Sequence, residues 1–195
     1  GGVGSRLHPL TRITNKHLLP IYDRPMVTYA IEAIVSAGVK EIMLVTGGTH
    51  GGELFRLLGD GHSHGIDLLQ YAYQEQESGI ADALGLAQRF AGDDRVLVML
   101  ADNIFERSIR PVVENFERQE RGGRIVLSRE ENPEHLRHLG VAELNADKVV
   151  RIVEKPEPDR APSNLAVLGR YVLPSSIFDA IKRVKPGAGD EIQLT

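Results

Sequence analysis

An α/β architecture in two parts follows from three features of the 195-residue chain. Two short apolar runs, EIMLVT at residues 41–46 and RVLVML at residues 95–100, are near-continuous in the way of strands covered on both faces. Stretches with apolar residues three and four positions apart alternate with strand-like runs, as βαβ units require. After Asn103 the texture changes, and short β-branched runs crowd together.

Taken in order, Met26, Tyr29, Ala30, Ala33 and Ile34 fall at helical spacing. Residues 26–35 are therefore read as a helix with one buried face, ended by the Ala37-Gly38 break. The strand at 41–46 follows, then a helix around 53–58, a strand around 67–73, a helix over 80–90 and the strand at 95–100. In the second part a charged helix around 112–119 leads to IVLS at 125–128, and further strands are expected at 141–144, 149–154 and 167–172. Pro156, Pro158 and Pro162 favour an extended loop between the last two.

Composition narrows the field. Hydrophobic residues make up 42%, enough for one sizeable core or two small ones. There are 23 Lys and Arg against 27 Asp and Glu, a formal charge of -4, so no basic field exists for a nucleic-acid polymer. The absence of cysteine removes disulfides, thiolate nucleophiles and zinc-thiolate or iron-sulfur ligation. No apolar run approaches the roughly 20 residues of a membrane span, and the N-terminus is unlike a signal peptide, so a soluble, cytoplasmic protein without a membrane partner is expected. The chain opens on Gly1 and stops at Thr195 inside the alternation Ile192, Gln193, Leu194, and so reads as a piece of something longer.

Four stretches can carry chemistry. In GGVGSRL, Gly1, Gly2 and Gly4 permit positive φ and a close approach of backbone N–H groups to an anion. The template G-x-x-x-x-G-K-[ST] is absent, and Leu7 stands where G-x-G-x-x-G needs its third glycine. Arg6 at the exit of the loop and Lys16 ten residues on supply the fork and the point charge that a polyphosphate calls for. Asp102, in Leu100-Ala101-Asp102-Asn103, follows a strand, where a carboxylate is well placed to hold a hard cation such as Mg²⁺ among phosphate oxygens. Glu154-Lys155-Pro156 pairs an acceptor for sugar hydroxyls with a cation for a phosphate monoester. Each has a plainer reading that pattern leaves open: a flexible glycine terminus, surface cations, a helix-capping Asp, a solvated ion pair. His62 with His64, and His135 with His138, lack an evident third ligand and read as solvent-exposed. Acyl hydrolysis has no motif to support it.

In the order in which they stand, GGVGSRLHPLT, NKHLLPIYDRPM, LLGDG, QEQESGIADAL, LADNIFE, GVAEL, VEKPEPDRAPSNLAVLGRYV and GDEIQLT resemble the sugar-1-phosphate nucleotidylyltransferases, most of all the glucose-1-phosphate thymidylyltransferases, over almost the whole chain. The resemblance implies a Rossmann-like nucleotide-binding core with a mixed sheet and a strand-rich sugar-binding part. Residues 1–110 would serve mainly the nucleotide and residues 111–195 mainly the sugar phosphate, in one domain truncated at both ends. It implies nucleotidylyl transfer from dTTP to glucose 1-phosphate with Mg²⁺, in a homo-oligomer. Carried over by position, Gly1, Gly2, Gly4 and Ser5 hold the triphosphate, Arg6 favours the departing pyrophosphate, and Lys16 stabilises charge near the α-phosphate. Gln74 and Gly79 read the pyrimidine edge, and Asp102 is the first metal ligand. Gly140, Glu154, Lys155, Val167 and Tyr171 form the sugar-phosphate side.

Several positions depart from the family pattern. Ser5 replaces Thr, Ala101 replaces Gly, and Leu139 replaces an aromatic residue. Residues 133–140 carry two extra positions, Leu168 stands where Thr is common, and Arg170 follows Gly169. A strand before the glycine loop and a second metal-binding Asp are expected outside the chain, so the fragment itself is expected to lack a full catalytic site. GDEIQLT also resembles uridylyltransferases, which keeps UTP as the alternative nucleotide, and a nucleotide-sugar binding module without turnover is the alternative of another class. A dinucleotide-dependent oxidoreductase is disfavoured, because no acidic ribose ligand follows the loop.

Overall fold

The computed structural model describes residues 4, 7–48, 51–76, 78–184 and 194. It has an α/β fold with a parallel pair of strands and a separate antiparallel sheet. The first described elements are short: 3₁₀ turns at Leu10–Arg12 and Lys16–Leu18, then a hairpin of β1 (Pro20–Ile21) and β2 (Arg24–Pro25). Helix α1 (Met26–Ser36) starts at Pro25, whose fixed φ suits a helix start, and Thr28 Oγ1 donates to the Pro25 carbonyl at 2.7 Å. It ends where Gly38, at φ +94°, turns the chain away.

The buried stripe of α1 is Val27, Ala30 and Ile31, with Ile34 packed behind them. The face expected from Met26, Tyr29, Ala30, Ala33 and Ile34 is thus met in part: Ala30 and Ile34 lie on the packed side, while Met26, Tyr29 and Ala33 are only half-buried. Tyr29 is turned aside because its hydroxyl donates to Ile21 of the hairpin at 2.6 Å and its ring lies under the Arg24 guanidinium.

Strands β3 (Glu41–Gly47) and β4 (Leu68–Gln74) pair in parallel, with Leu44 opposite Tyr71 and Gly47 opposite Gln74, joined through α2 (Gly51–Leu58). This is the βαβ unit read from the pattern. The helix expected over 80–90 is two helices, α3 (Ile80–Gly85) and α4 (Gln88–Ala91), parted at Leu86 and Ala87. Gly85, a poor helix former, stands at the break.

Strand β5 (Val96–Met99) is followed by α5 (Arg110–Glu117), which begins two residues earlier than expected because Pro111 is tolerated in a first turn. Arg95 closes its far end, donating to the carbonyls of Phe116 and Glu117 at 2.9 and 3.0 Å. Then come β6 (Arg124–Arg129), the hairpin of β7 (Gly140–Asn145) with β8 (Lys148–Glu154), β9 (Leu165–Leu173) and the short α6 (Ile177–Ile181). The pattern had not suggested α6. The antiparallel sheet runs β5-β9-β7-β8, with β6 also on β9. Strand β9 is thus the element on which the second part is assembled.

Two cores hold these layers. Val27, Ile31, Ile42, Leu54, Leu58 and Ile66 fill the first, beneath α1 and α2. Leu84, Ala91, Tyr171, Leu173 and Phe178 fill the second, between β9 and helices α3, α4 and α6. Burying such side chains stabilises by about 1.5–3 kcal/mol each, before the entropy of ordering them is counted. Apart from Ile42, the apolar residues of β3 and β5 are only half-buried, unlike strands covered on both faces. Among the described residues each has a paired neighbour on one edge alone. No helix among them is long and apolar enough to cross a membrane.

Candidate active site

Asn15 caps the 3₁₀ turn that begins at Lys16, its side-chain oxygen accepting the His17 backbone N–H at 3.0 Å. The same oxygen lies 2.7 Å from His17 Nδ1. An amide oxygen only accepts, so the imidazole proton sits on Nδ1. Burial first, then the neighbouring Lys16 charge, lowers the His17 pKa to about 4, so this ring is neutral near pH 7. The turn projects Lys16 toward the chain leaving β5, where its Nζ donates to Asp102 Oδ2 at 2.6 Å. Burial alone would raise the Asp102 carboxyl, but the Lys16 hydrogen bond and charge outweigh it and hold the group below the ordinary carboxylate range.

Gly4 belongs to this cluster. Its φ is +67°, its carbonyl accepts from the Leu7 N–H at 2.9 Å and from Thr11 Oγ1 at 2.7 Å, and a Cβ there would lie 3.3 Å from Lys16 Cβ. Gly1, Gly2, Ser5 and Arg6 lie outside the described residues.

A second group forms at the carboxyl end of β4. Gln74 is buried, and its Nε2 donates to the Gly79 carbonyl at 3.2 Å and to Asp82 Oδ2 at 2.8 Å. With both amide protons engaged, its carbonyl oxygen is the atom it can offer a ligand. Gly79 turns into α3 at φ +99°. Asp82 was not singled out from sequence, although its place in QEQESGIADAL, in the first turn after Gly79, was the available signal.

The third group stands on β7, β8 and β9. Gly140 pairs with Glu154 across the hairpin, and a Cβ on it would meet Glu154 Oε2 at 3.0 Å and Val167 Cβ at 3.7 Å. Lys155 turns at φ +47°, its N–H donating to Leu139 at 2.9 Å, with its Nζ 4.0 Å from Glu154 Oε1. Tyr171 is in the second core, where burial, then the Glu154 charge, pushes its phenol up to about 12. Gly140, Glu154, Lys155, Val167 and Tyr171 are thereby gathered on one set of strands.

The first and third groups are joined through the turn after β5, where Asn103 Nδ2 donates to the Leu168 carbonyl of β9 at 3.2 Å. A cleft of about 320 Å³ between α2 and the ends of β3 and β4, lined by Thr46, Phe55, Tyr71 and Tyr73 among others, contains none of these residues. Its wall is aromatic and uncharged, so anionic chemistry belongs to the groups above. His62 lies beside Asp60 and His135 beside Glu130, each well exposed. No three His, Cys, Asp or Glu residues converge as a metal cage among the described residues.

A nucleotidyl transferase family model matches residues 1–195. The chain belongs to that family. Its curated relatives include the low-salt glycan biosynthesis nucleotidyltransferase Agl11 of Haloferax volcanii, 37% identical over all of this chain and 53% of that protein. Another is the glucose-1-phosphate thymidylyltransferase of Neisseria meningitidis, 36% identical over all of this chain and 66% of the relative. The nucleotidyl transferase chain thus spans between half and two thirds of their length. Among solved structures, one assigned as a glucose-1-phosphate thymidylyltransferase of Bacillus anthracis, in complex with a sucrose, is 41% identical with a TM-score of 0.87, covering 96% of this chain and 74% of that one. A UDP-glucose pyrophosphorylase complexed with UDP-glucose is 26% identical with a TM-score of 0.83, covering 100% and 81%. Both likenesses agree with the α/β fold of this nucleotidyl transferase chain and its Rossmann-like core.

Proposed function

We propose that the chain carries the site at which dTTP reacts with glucose 1-phosphate, or a closely related sugar 1-phosphate, to give the dTDP-sugar and pyrophosphate. The observation that carries this is the Lys16–Asp102 contact at 2.6 Å, a lysine ammonium held against a carboxylate just beyond the end of a strand. An oxygen of the sugar phosphate forms a bond to the α-phosphorus while the bond from that phosphorus to the bridging oxygen breaks, and the electron pair leaves with pyrophosphate. No protein nucleophile is required. The work of the site is to hold two mutually repelling anions in line and to stabilise the charge that develops between them.

In this reading Lys16 exchanges its carboxylate partner for the phosphate when the triphosphate arrives. Asp102 is a single hard carboxylate, and Mg²⁺ is characteristically held by one or two carboxylates with phosphate oxygens and water, so the donor set fits. When bound through Asp102, that ion would neutralise phosphate charge. Glu154 accepts from sugar hydroxyls, and Lys155, whose side chain is exposed, meets the phosphate of the sugar. The free carbonyl oxygen of Gln74 is an acceptor matched to the N3–H of thymine or uracil and mismatched to N3 of cytosine. Relatives named as thymidylyltransferases support dTTP, and the UDP-glucose pyrophosphorylase likeness keeps UTP as the second choice.

The test is turnover by the full-length protein with glucose 1-phosphate, Mg²⁺ and each of dTTP, UTP and CTP. The expected order of kcat/KM is dTTP, then UTP, with CTP rejected. A preference for UTP would reverse the proposed nucleotide, and efficient use of CTP would remove the assigned role of Gln74.

A further inference from the structure

Arg170 is the most deeply buried charged side chain among the described residues, 2% exposed. Its Nη2 donates to the Asn103 carbonyl at 3.0 Å, and its guanidinium lies 3.6 Å above the centre of the Phe105 ring. Nε and Nη1 are buried with no hydrogen-bond partner. The adjoining cavity, about 10 Å³ and walled by apolar side chains such as Leu97, Ile109 and Val112, is too small for an anion. Burying a cation with two idle donors is costly, and an apolar residue on this strand would serve stability better. The cost calls for a role beyond packing.

The contacts of Arg170 and its neighbours converge on one turn. Arg170 stands opposite Met99 in the last pair of the β5–β9 ladder. Immediately beyond it the Leu100 N–H donates to the Gly169 carbonyl at 2.9 Å, and the Leu100 side chain rests where a Gly169 Cβ would come within 2.5 Å. Asn103 Nδ2 donates to Leu168 at 3.2 Å. Residues 168–170 therefore grip 100, 103 and 105, and Asp102 lies inside that span. We propose that Arg170 is a positioning residue: it clamps the turn from Leu100 to Phe105 and so sets the direction of the Asp102 carboxylate. The role rests on Asp102 being the metal ligand. It also joins that ligand mechanically to the strand that carries Val167 and Tyr171 of the sugar side, because the clamp is part of β9.

The experiment compares Arg170→Met, Phe105→Leu, Val172→Ala and Asp102→Asn in the full-length protein. Two quantities are read: the free Mg²⁺ concentration at half-maximal rate, and Mn²⁺ binding in the presence of dTTP by water-proton relaxation, which needs no turnover. Arg170→Met is expected to raise the Mg²⁺ half-saturation about 10-fold and weaken Mn²⁺ binding to match, as loss of a group that orients a metal ligand does. Phe105→Leu removes only the stacking face and shifts both in the same direction by a smaller factor, which keeps a readout if Arg170→Met does not fold. Val172→Ala thins the same buried face two residues along and should lower Tm without moving either metal quantity. Wild-type metal dependence in Arg170→Met, or in Phe105→Leu should the former not fold, overturns the proposal, as does an equal shift in Val172→Ala. Asp102→Asn separates the two levels. If it binds Mn²⁺ as the wild type does, the metal reading of Asp102 fails; if it loses Mn²⁺ while the Arg170 and Phe105 variants keep it, only the clamp fails.

Discussion

Lys16 and Asp102 are 86 positions apart in the chain and 2.6 Å apart in space. Each was legible alone, as a cation near a glycine loop and as an Asp after an apolar strand, but their contact was not, because no periodic pattern reaches across such a separation. The clamp by Arg170 was hidden for a related reason: a lone Arg inside an apolar run shows neither what it stacks on nor what it leaves unpaired. In the proposed mechanism both partners of the first pair act on the same charge. Asp102→Asn and Lys16→Gln are therefore each expected to lower kcat by about 100- to 1000-fold, and the double variant to lose much less than the product of the two. Steady-state rates of the three proteins check this, and fully multiplicative losses would show that the two residues act separately. Ala101 makes a different point. It stands where the family pattern has Gly, and its methyl group packs against the first core. Ala101→Gly should cost about 1 kcal/mol through lost burial and added backbone freedom, seen as a lower midpoint in urea.

Elements with one strong local signal were read closely, and those decided by neighbours were not. The strand β3 and the hairpin of β7 with β8 lie within a residue or two of expectation, since β-branched runs between turn residues leave few alternatives. The face of α1 was read in part: Ala30 and Ile34 lie on the packed side, but the hydroxyl of Tyr29 has a tertiary partner in Ile21, which hydrophobic spacing alone does not reveal. The strand β9 is where element and proposed site coincide, because Tyr171 packs in the second core and is also assigned to the proposed sugar group. Its phenol is pushed up to about 12, above the ordinary value near 10. The folded state therefore holds this proton more tightly than the unfolded state does. Stability from this group is complete below about pH 10 and is lost as pH rises from there toward 12, up to about 2–3 kcal/mol. Urea titrations at pH 9 and pH 11 should show wild type losing more stability over this interval than Tyr171→Phe, and parallel losses would place the phenol in water.

At the scale of the molecule, the two cores stand behind different parts of the proposed site. The first is packed against by Ala101, which precedes Asp102, and by Leu69 of the strand that ends in Gln74. The second contains Tyr171, with Val167 packed against it, and it draws Leu84 and Ala91 from the first hundred residues. Composition allowed two small cores but gave no hint of this division, since side chains 80 or more positions apart in the sequence meet only once β9 has formed. A defect confined to one core should then disturb one substrate more than the other. Leu58→Val and Phe178→Leu each remove a modest volume from a side chain 2% and 3% exposed, at a cost of about 1 kcal/mol, which leaves the fold intact. Leu58→Val is expected to raise the KM for the nucleotide more than that for the sugar phosphate, and Phe178→Leu to do the reverse. Bisubstrate kinetics on the two full-length variants measure all four constants. If both variants raise both constants by the same factor, the cores act as one packed unit and the proposed division of labour between them is lost.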